Sequence, residues 1–340
     1  MRKSFAVLLF LALALLSGKN AYALGECGLS CCLAGATASG VTLAENFGVS
    51  LVYENSYMKT IKNGTDEVSP DEAIARNQQP MKSYKVPTEM TMQKVSLVGF
   101  VPVTERFQLL GSLPYVINDM DMMSRSAMGM TMDMSMETIS GLGDATVIGL
   151  YTLYTDAPVR LTERLTAGLG VKLPTGSTSE RSPSGSLIHA MMQPGTGSWD
   201  PLVMLNYMRA YYPLVLQANL LYQLTTEGYN GYEFGDRFTY DLSARYQASK
   251  YLNVGVELNG VHSEKDTDHE GKYSDPETSM IDNPEYTGLD SIFISPLVQA
   301  KVPNTGGSAE LKYQIPIYQD VSGYQQVVDW RVLASVSWAF

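Results

Sequence analysis

Cysteine and histidine are scarce in this sequence, which has three residues of each among 340. The cysteines lie together in the segment CGLSCC, as Cys27, Cys31 and Cys32. Secreted folds that depend on disulfides distribute them along the chain, so this clustering excludes disulfide bonds as the general support of the structure. Three interpretations of the segment stay open: a disulfide with one spare thiol, a thiolate metal site, or a small plug at the mouth of the fold.

Long apolar runs are also lacking, except at the N-terminus. There, Arg2 and Lys3 precede the run FAVLLFLALALL, and the sequence AYA ends at Ala23. This order is typical of a signal peptide, and the run is too short for a membrane-spanning helix. We therefore expect residues 1–23 to be a signal peptide cleaved near Ala23, and residues 24–43 to be a Cys-containing periplasmic segment.

Basic residues are fewer than acidic ones. The chain has 24 lysines and arginines against 35 aspartates and glutamates, for a net charge of −11. A nucleic-acid partner would favour a basic face, so the composition argues against one. The acidic segment DHEGKYSDPE, at 268–277, lacks the ligand spacing of a calcium loop, and we interpret it as a solvated loop.

What the sequence does contain is alternation of period two, which is clearest from Asp329 to Phe340. The even positions there form an apolar face: Trp330, Val332, Ala334, Val336, Trp338 and Phe340. Such alternation indicates a strand, and aromatic residues at both ends of an apolar face are typical of a transmembrane β-barrel. We therefore predict an all-β protein, with residues 44–340 forming an antiparallel barrel in the outer membrane of a Gram-negative bacterium. A secreted β-sandwich is the soluble alternative.

The second face of these strands is polar. We expect it to line a water-filled lumen, since charges on the lipid side would be costly. The residues assigned to the lumen are Gln217, Asn219, Gln223, Arg237, Asp241, Arg245, Gln247, Asp329 and Arg331.

The pattern predicts about twelve strands, with ten or fourteen as alternatives. They are expected near 44–58, 91–102, 104–117, 142–155, 162–174, 198–209, 213–225, 236–248, 251–262, 289–301, 308–318 and 325–340. Short periplasmic turns and longer outer loops are characteristic of bacterial barrels. We therefore place 59–90, 118–141, 175–197, 226–235, 263–288 and 319–324 outside the cell.

One of these expected outer loops is rich in methionine. The stretch DMDMMSRSAMGMTMDMSME, at 119–137, holds eight of the eighteen methionines. They are Met120, Met122, Met123, Met128, Met130, Met132, Met134 and Met136. Thioethers are soft ligands that suit Cu(I) and Ag(I), and His189, Met191 and Met192 of the next loop could add ligands. The alternative is a flexible apolar surface for adaptable contacts.

Four short motifs follow one another at the spacing of barrel loops. They are LPY at 113–115, GLGD at 141–144, KLPTG at 172–176 and GTGSWD at 195–200. Over residues 90–340 the chain thereby resembles the outer-membrane family named for the meta-pathway of phenol degradation. That resemblance implies a barrel with a transport role and supplies neither a defined substrate nor catalytic residues.

Catalysis is not expected. Acyl transfer would need a serine beside a histidine on one strand face, whereas His189 and His269 lie in expected loops and His262 at a strand end. The sequence thus predicts a monomeric channel for passive movement of small solutes, hydrophobic or aromatic ones among them. Its partners would be outer-membrane lipid and the barrel-assembly machinery, through Phe340. It would have no cofactor, and the alternative is capture or transport of Cu(I) or Ag(I) by the outer loop.

Overall fold

The computed structural model describes residues 47–76, 82–156, 162–183, 185–273, 277–303 and 305–340. The expected signal peptide and the cysteine segment lie outside these residues. The strands, in chain order, are β1 (Gly48–Gly64), β2 (Asp66–Val68), β3 (Tyr84–Pro102), β4 (Phe107–Arg125), β5 (Thr131–Ser135), β6 (Ile139–Leu142), β7 (Thr146–Thr155), β8 (Glu163–Lys172), β9 (Asp200–Tyr211), β10 (Leu214–Gln223), β11 (Tyr232–Glu233), β12 (Arg237–Ser249), β13 (Leu252–Ser263), β14 (Thr267–Asp268), β15 (Leu289–Lys301) and β16 (Gly307–Ala339).

Helical structure is confined to short segments. Helix α1 spans Pro70–Arg76, and single 3₁₀ turns occur at Ala190–Met192, Met280–Asp282 and Pro284–Tyr286. In the described part of the chain, no helix is long and apolar enough to cross a membrane.

The long strands form one closed antiparallel barrel. Neighbours in the wall follow the order β16, β15, β13, β12, β10, β9, β8, β7, β4, β3 and β1, and β16 pairs with β1 to complete the circle. Each of these strands therefore pairs on both sides, so that over the described residues the wall leaves no open edge and its backbone groups bind one another.

Strand β16 contributes two passes to this wall. Its first part pairs with β15 from Ser308 to Val321, and its second part pairs with β1 from Tyr324 to Ala339. The chain reverses at Gly323, whose φ of 68° favours glycine. The described residues thus contribute twelve strand passes to the wall. This confirms the predicted all-β barrel and its expected strand number.

Side-chain exposure separates the two faces of the wall. On β10 the exposed side chains include Leu216, Leu220 and Tyr222, whereas Gln217 and Asn219 between them are buried. Exposed tyrosines and aliphatic residues recur in the same way on β4, β7, β9 and β12. This apolar outer surface is suited to lipid, because charged groups would lose hydration there.

The predicted limits of the first two outer loops were wrong. Strand β1 continues to Gly64, β3 begins at Tyr84, and β4 continues to Arg125, so Met120, Met122 and Met123 lie in a strand. Beyond Ile117 the side chains still alternate between the two faces of β4, but the outer face now carries polar residues. Asp119 and Asp121 occupy the same face as Leu113 and Tyr115. Above the lipid that face meets water, so polar residues there do not end the strand.

The segments that connect the strands at the long-loop end, here called the outer mouth, pack onto each other. Helix α1 places Ala73 and Ile74 against Tyr84 and Val86, together with Met280 of a distant loop. This cluster anchors the N-terminal part of the mouth.

Candidate functional site

The inner wall between β12 and β16 carries a network of buried charges. The Arg245 guanidinium donates to Glu257 and Glu310 at 2.9 Å each. Lys312 also donates to Glu257, and the Lys312 side chain is fully buried. Because each of these charges faces an opposite one, the network tolerates removal from water that isolated charges would not.

A second group of polar residues continues the network along the same wall. The Asn259 amide donates to Asp241 at 2.6 Å, and Asn219 donates to the other oxygen of Asp241 at 3.4 Å. All three side chains are buried, as is Ser295, whose hydroxyl donates to Asn259. Polar side chains thus bind one another along this side of the inner wall.

The other side of the inner wall carries an apolar cluster. A cluster of buried aliphatic and aromatic side chains runs across six strands and comprises Val52, Val98, Phe100, Leu110, Ile148, Leu150, Leu202, Met204 and Leu221. The inner face is therefore not uniformly polar, as the alternation of the strands alone had predicted, and whether water fills the lumen stays a prediction. The interior thus carries a charged network on one side and, on the other, an apolar cluster among buried polar residues such as Arg164 and Asn206.

The other residues assigned to the lumen have different surroundings. Gln217 is buried, and Arg237 is exposed. Gln223 donates to Asp200 at 2.7 Å, Gln247 accepts from the Tyr212 hydroxyl, and Arg331 donates to Ser56 at 2.7 Å.

Asp329 serves the backbone of the wall itself. Its carboxylate accepts from the backbone amides of Lys59 and Thr60, at 2.5 and 3.2 Å, where β1 loses register with β16.

Three residues of the charged network were not predicted from the sequence: Glu257, Glu310 and Lys312. Their alternation within β13 and β16 was the available signal.

The four family motifs meet in one place at the outer end of the wall. The Asp144 carboxylate of GLGD accepts from the backbone amides of Gly176 and Thr196, at 3.0 and 2.8 Å. The Gly143 amide donates to the carbonyl of Pro114, at 2.9 Å. Residues of LPY, GLGD, KLPTG and GTGSWD are therefore joined by hydrogen bonds, and we call this place the motif junction.

A lysine holds the charges of the motif junction together. The Lys172 ammonium lies 2.6 Å from Asp200 and 3.4 Å from Asp144. Gly176 and Gly195 pack directly on each other, since a Cβ added to Gly176 would lie 2.6 Å from the Gly195 Cα. The requirement for glycine at both positions follows from this approach, which brings the two ends of the loop 177–194 together.

The middle of that loop folds into the outer mouth. The Asn118 side chain, on the inner face of β4, donates to the Met192 carbonyl at 3.2 Å. His189 of the same loop contacts Asp282 through Nδ1 and so links the loop to the segment 277–288. Two long outer connections thereby cover the interior.

Below this cover lies a cluster rich in thioethers. Met90, Met120, Met122 and Met192 are buried with Ile139 and Ile188, and Met58, Met92, Met136 and Ile281 pack against them. Of the eight methionines proposed as ligands, Met120, Met122 and Met136 belong to this cluster. Met123 lies against the α1 cluster, and Met128, Met130, Met132 and Met134 are exposed.

The remaining histidines lie apart from this cluster. His262 contacts Asp290 at 2.7 Å, and His269 contacts Glu233 at 2.9 Å, in both cases on exposed outer segments. Neither contact includes a serine.

Comparisons with known proteins agree with this architecture. Among solved structures, an outer-membrane channel from Pseudomonas putida F1 matches with a TM-score of 0.56 and 11% identity, over 87% of this chain and 96% of that chain. A Pseudomonas aeruginosa FadL homologue matches with a TM-score of 0.41 and 9% identity, over 87% and 90%. At 11% identity the likeness to the Pseudomonas putida channel concerns the fold alone. No sequence among the curated proteins matches.

A family model gives the stronger result. The model described as "Putative MetA-pathway of phenol degradation" matches residues 93–282, which include all four motifs of the junction. Because this match covers more than half of the chain, the protein belongs to the MetA-pathway of phenol degradation family.

Proposed function

We propose that this protein is an outer-membrane channel for the passive movement of small hydrophobic or aromatic solutes. The observation that carries the proposal is the apolar cluster on the inner face of the barrel. A channel for hydrophilic solutes would keep its whole inner face polar, whereas here Val98, Leu110 and Ile148 point inward from adjacent strands. The fold shared with an outer-membrane channel supports this proposal.

Passage requires the cover of the outer mouth to move. Met192 of the loop 177–194 is fully buried, and the contact between His189 and Asp282 holds that loop to the segment 277–288. Breaking this contact removes one restraint on the loop while the wall stays intact. We therefore expect the two residues to control how often the channel opens.

Conductance in planar bilayers and solute uptake by vesicles test the proposal together. We expect low, intermittent conductance for the wild type, and longer openings for His189→Ala and for Asp282→Ala. Lys265→Ala is the control, because its ion pair with Glu285 is exposed on the same outer side. Uptake of a labelled monoaromatic hydrocarbon should rise in the two opened variants. Absence of flux in both the wild type and the opened variants would contradict a channel function.

The channel is proposed to act as a monomer without catalytic chemistry or a resident cofactor. Assembly would use Phe340, whose ring is 63% exposed while its backbone amide donates to the Phe47 carbonyl at 2.8 Å. This exposed residue therefore lies at the seam of the barrel, where we propose that the assembly machinery binds it. Phe340→Ala should slow the appearance of folded protein in cells, measured by heat-modifiable mobility, and an unchanged rate would exclude this role.

A further inference from the structure

Three methionines stand in a row across three adjacent strands. Met58 of β1 is the direct cross-strand partner of Met90 of β3, and Met90 is the partner of Met120 of β4. Directly opposed side chains in an antiparallel pair lie about 5 Å apart at Cβ, so three flexible thioethers can converge on one point. All three share the inner face with the buried residues Ser56, Ser96 and Asn118.

Three further methionines complete the cluster around this row. The Met136 amide donates to the Met120 carbonyl at 2.9 Å, which places Met136 beside the row on its far side. Met122 lies two residues along β4 from Met120 on the same face, and Met192 covers the group from the loop 177–194. These residues are spread over the sequence from position 58 to position 192, so only the fold assembles them.

Packing alone gives a poor account of this composition. Methionine specifies a core weakly because its side chain has three rotatable bonds, and Leu, Ile or Val fills a position on a strand with less conformational freedom. The other inner cluster of this barrel, at Val52, Val98, Leu110 and Ile148, has that ordinary composition. What the methionines share beyond apolarity is the thioether sulfur.

We propose that the cluster formed by Met58, Met90, Met120, Met122, Met136 and Met192 binds a soft monovalent cation, Cu(I) or Ag(I). Thioethers suit these ions, whereas Ca²⁺ and Mg²⁺ require oxygen ligands. Neutral sulfur ligands need no deprotonation, so that binding persists in mild acid.

The surroundings of the cluster contain a further ligand type and a negative charge. His189 follows Ile188, and Asp282 follows Ile281; both isoleucines pack in the cluster. The Nδ1 of His189 contacts the Asp282 carboxylate, which leaves Nε2 as the ring nitrogen for a metal. A carboxylate on the second nitrogen is the usual support of a metal-binding imidazole. The Asp282 charge also offsets that of the cation.

The exposed methionines give the ion a route to this site. On β5 the side chains of Met132 and Met134 stand opposite Ser124 and Met122 of β4. Exposure falls along this hairpin from 84% at Met128 to 67% at Met132 and 36% at Met134, and then to 1% at Met122. A cation captured at the tip can therefore pass from sulfur to sulfur into the buried cluster.

Metal binding is measured on the full-length protein in detergent, where no transport takes place. A negative result would therefore contradict the metal proposal without affecting the channel proposal. The probes are Ag⁺ and Cu(I) under reducing conditions, in competition with a chromophoric chelator. Because Cys27, Cys31 and Cys32 would bind both ions, all variants carry serine at these positions. Met58→Leu/Met90→Leu/Met120→Leu keeps the size and apolarity of the row and deletes its sulfur.

The matched control is Met128→Leu/Met130→Leu/Met132→Leu, which deletes the same number of thioethers from the exposed tip. We expect the row variant to lose the tight site, the tip variant to keep its equilibrium affinity and bind more slowly, and His189→Ala to weaken binding by about tenfold. X-ray absorption of the bound ion should show sulfur ligands. Heat-modifiable mobility verifies folding, and the single variant Met120→Leu serves if the triple variant misfolds. Unchanged affinity in the folded row variants, or no binding by the wild type, would overturn the proposal.

Discussion

The ammonium nitrogen of Lys172 lies 2.6 Å from a carboxylate oxygen of Asp200, a residue with no exposed surface. This ion pair joins the KLPTG and GTGSWD motifs, and the contact of Lys172 with Asp144 adds GLGD. The family motifs therefore have a structural role. They hold the two ends of the loop 177–194 together at the outer end of the wall.

Removing the lysine should destabilise the barrel. Lys172→Met leaves the carboxylates of Asp144 and Asp200 close together and without their cation, and the expected cost is about 3 kcal/mol or more. Urea unfolding in lipid vesicles measures it. Lys265→Met is the control, since its pair with Glu285 is exposed and should contribute less than about 1 kcal/mol. If the two variants lose the same free energy of unfolding, the buried ion pairs of Lys172 stabilise the barrel no more than an exposed pair does.

The charged inner wall makes a prediction about coupling. Arg245→Met should lower the free energy of unfolding by about 3 kcal/mol, because Glu257 and Glu310 lose a shared partner. Adding Glu310→Gln should recover part of this loss, since it removes a buried negative charge that Arg245 no longer faces, whereas Glu257 keeps its pair with Lys312. A double-mutant cycle gives the interaction energy. Strict additivity of the two substitutions would mean that the observed pair contributes nothing to stability.

The lipid-facing assignment predicts a dependence on depth. Leu220→Arg places a charge on the outer face of β10 and should cost about 2–4 kcal/mol near the bilayer midplane. Leu224→Arg, just beyond the end of the strand, should cost about 1 kcal/mol or less because the side chain reaches the interface. Refolding into vesicles measures both. A larger loss at Leu224 would place the membrane elsewhere on the barrel.

The small sheet formed by β11 and β14 should respond to pH. The hydrogen bond with Glu233 raises the pKa of His269 above its ordinary value of 6.5, so folding favours the charged imidazole. Its contribution is complete below pH 6.5 and is lost as the pH rises through the raised pKa. The protection factor for hydrogen exchange at the His269 amide, which donates to Gly231, should therefore fall over this range. His269→Gln should remove this fall in protection, and if that variant keeps it, the cause lies in another group.

The orientation of the barrel can be tested on intact cells. With serine in place of the three native cysteines, Lys265→Cys should react with an impermeant maleimide, because this exposed residue lies on the long-loop side. Val302→Cys, also exposed but at a short turn, should react only after the outer membrane is permeabilised. The reverse result would place the thioether cluster at the periplasmic end.

The amino-acid pattern alone specified the barrel and the direction of its side chains. Strict alternation fixes which face each residue occupies, because one step along a strand reverses the side chain whatever lies around it. Leu220 and Tyr222 could therefore be assigned to lipid, and Asn219 and Asp241 to the interior, from the alternation alone. The limits of β4 could not be assigned in this way. Asp119 and Asp121 resemble loop residues, because a strand that extends above the membrane carries polar side chains toward water.

What fills the interior depends on the tertiary structure. Alternation says that Arg245, Glu257 and Lys312 point inward, but it carries no information on the register that places them near one another along the wall. Whether inward charges meet water or one another depends on this register. The same holds for Met58, Met90 and Met120, which are remote in sequence and become neighbours through the register of β1, β3 and β4. Local pattern sets the direction of a side chain, and the closure of the barrel sets its partners.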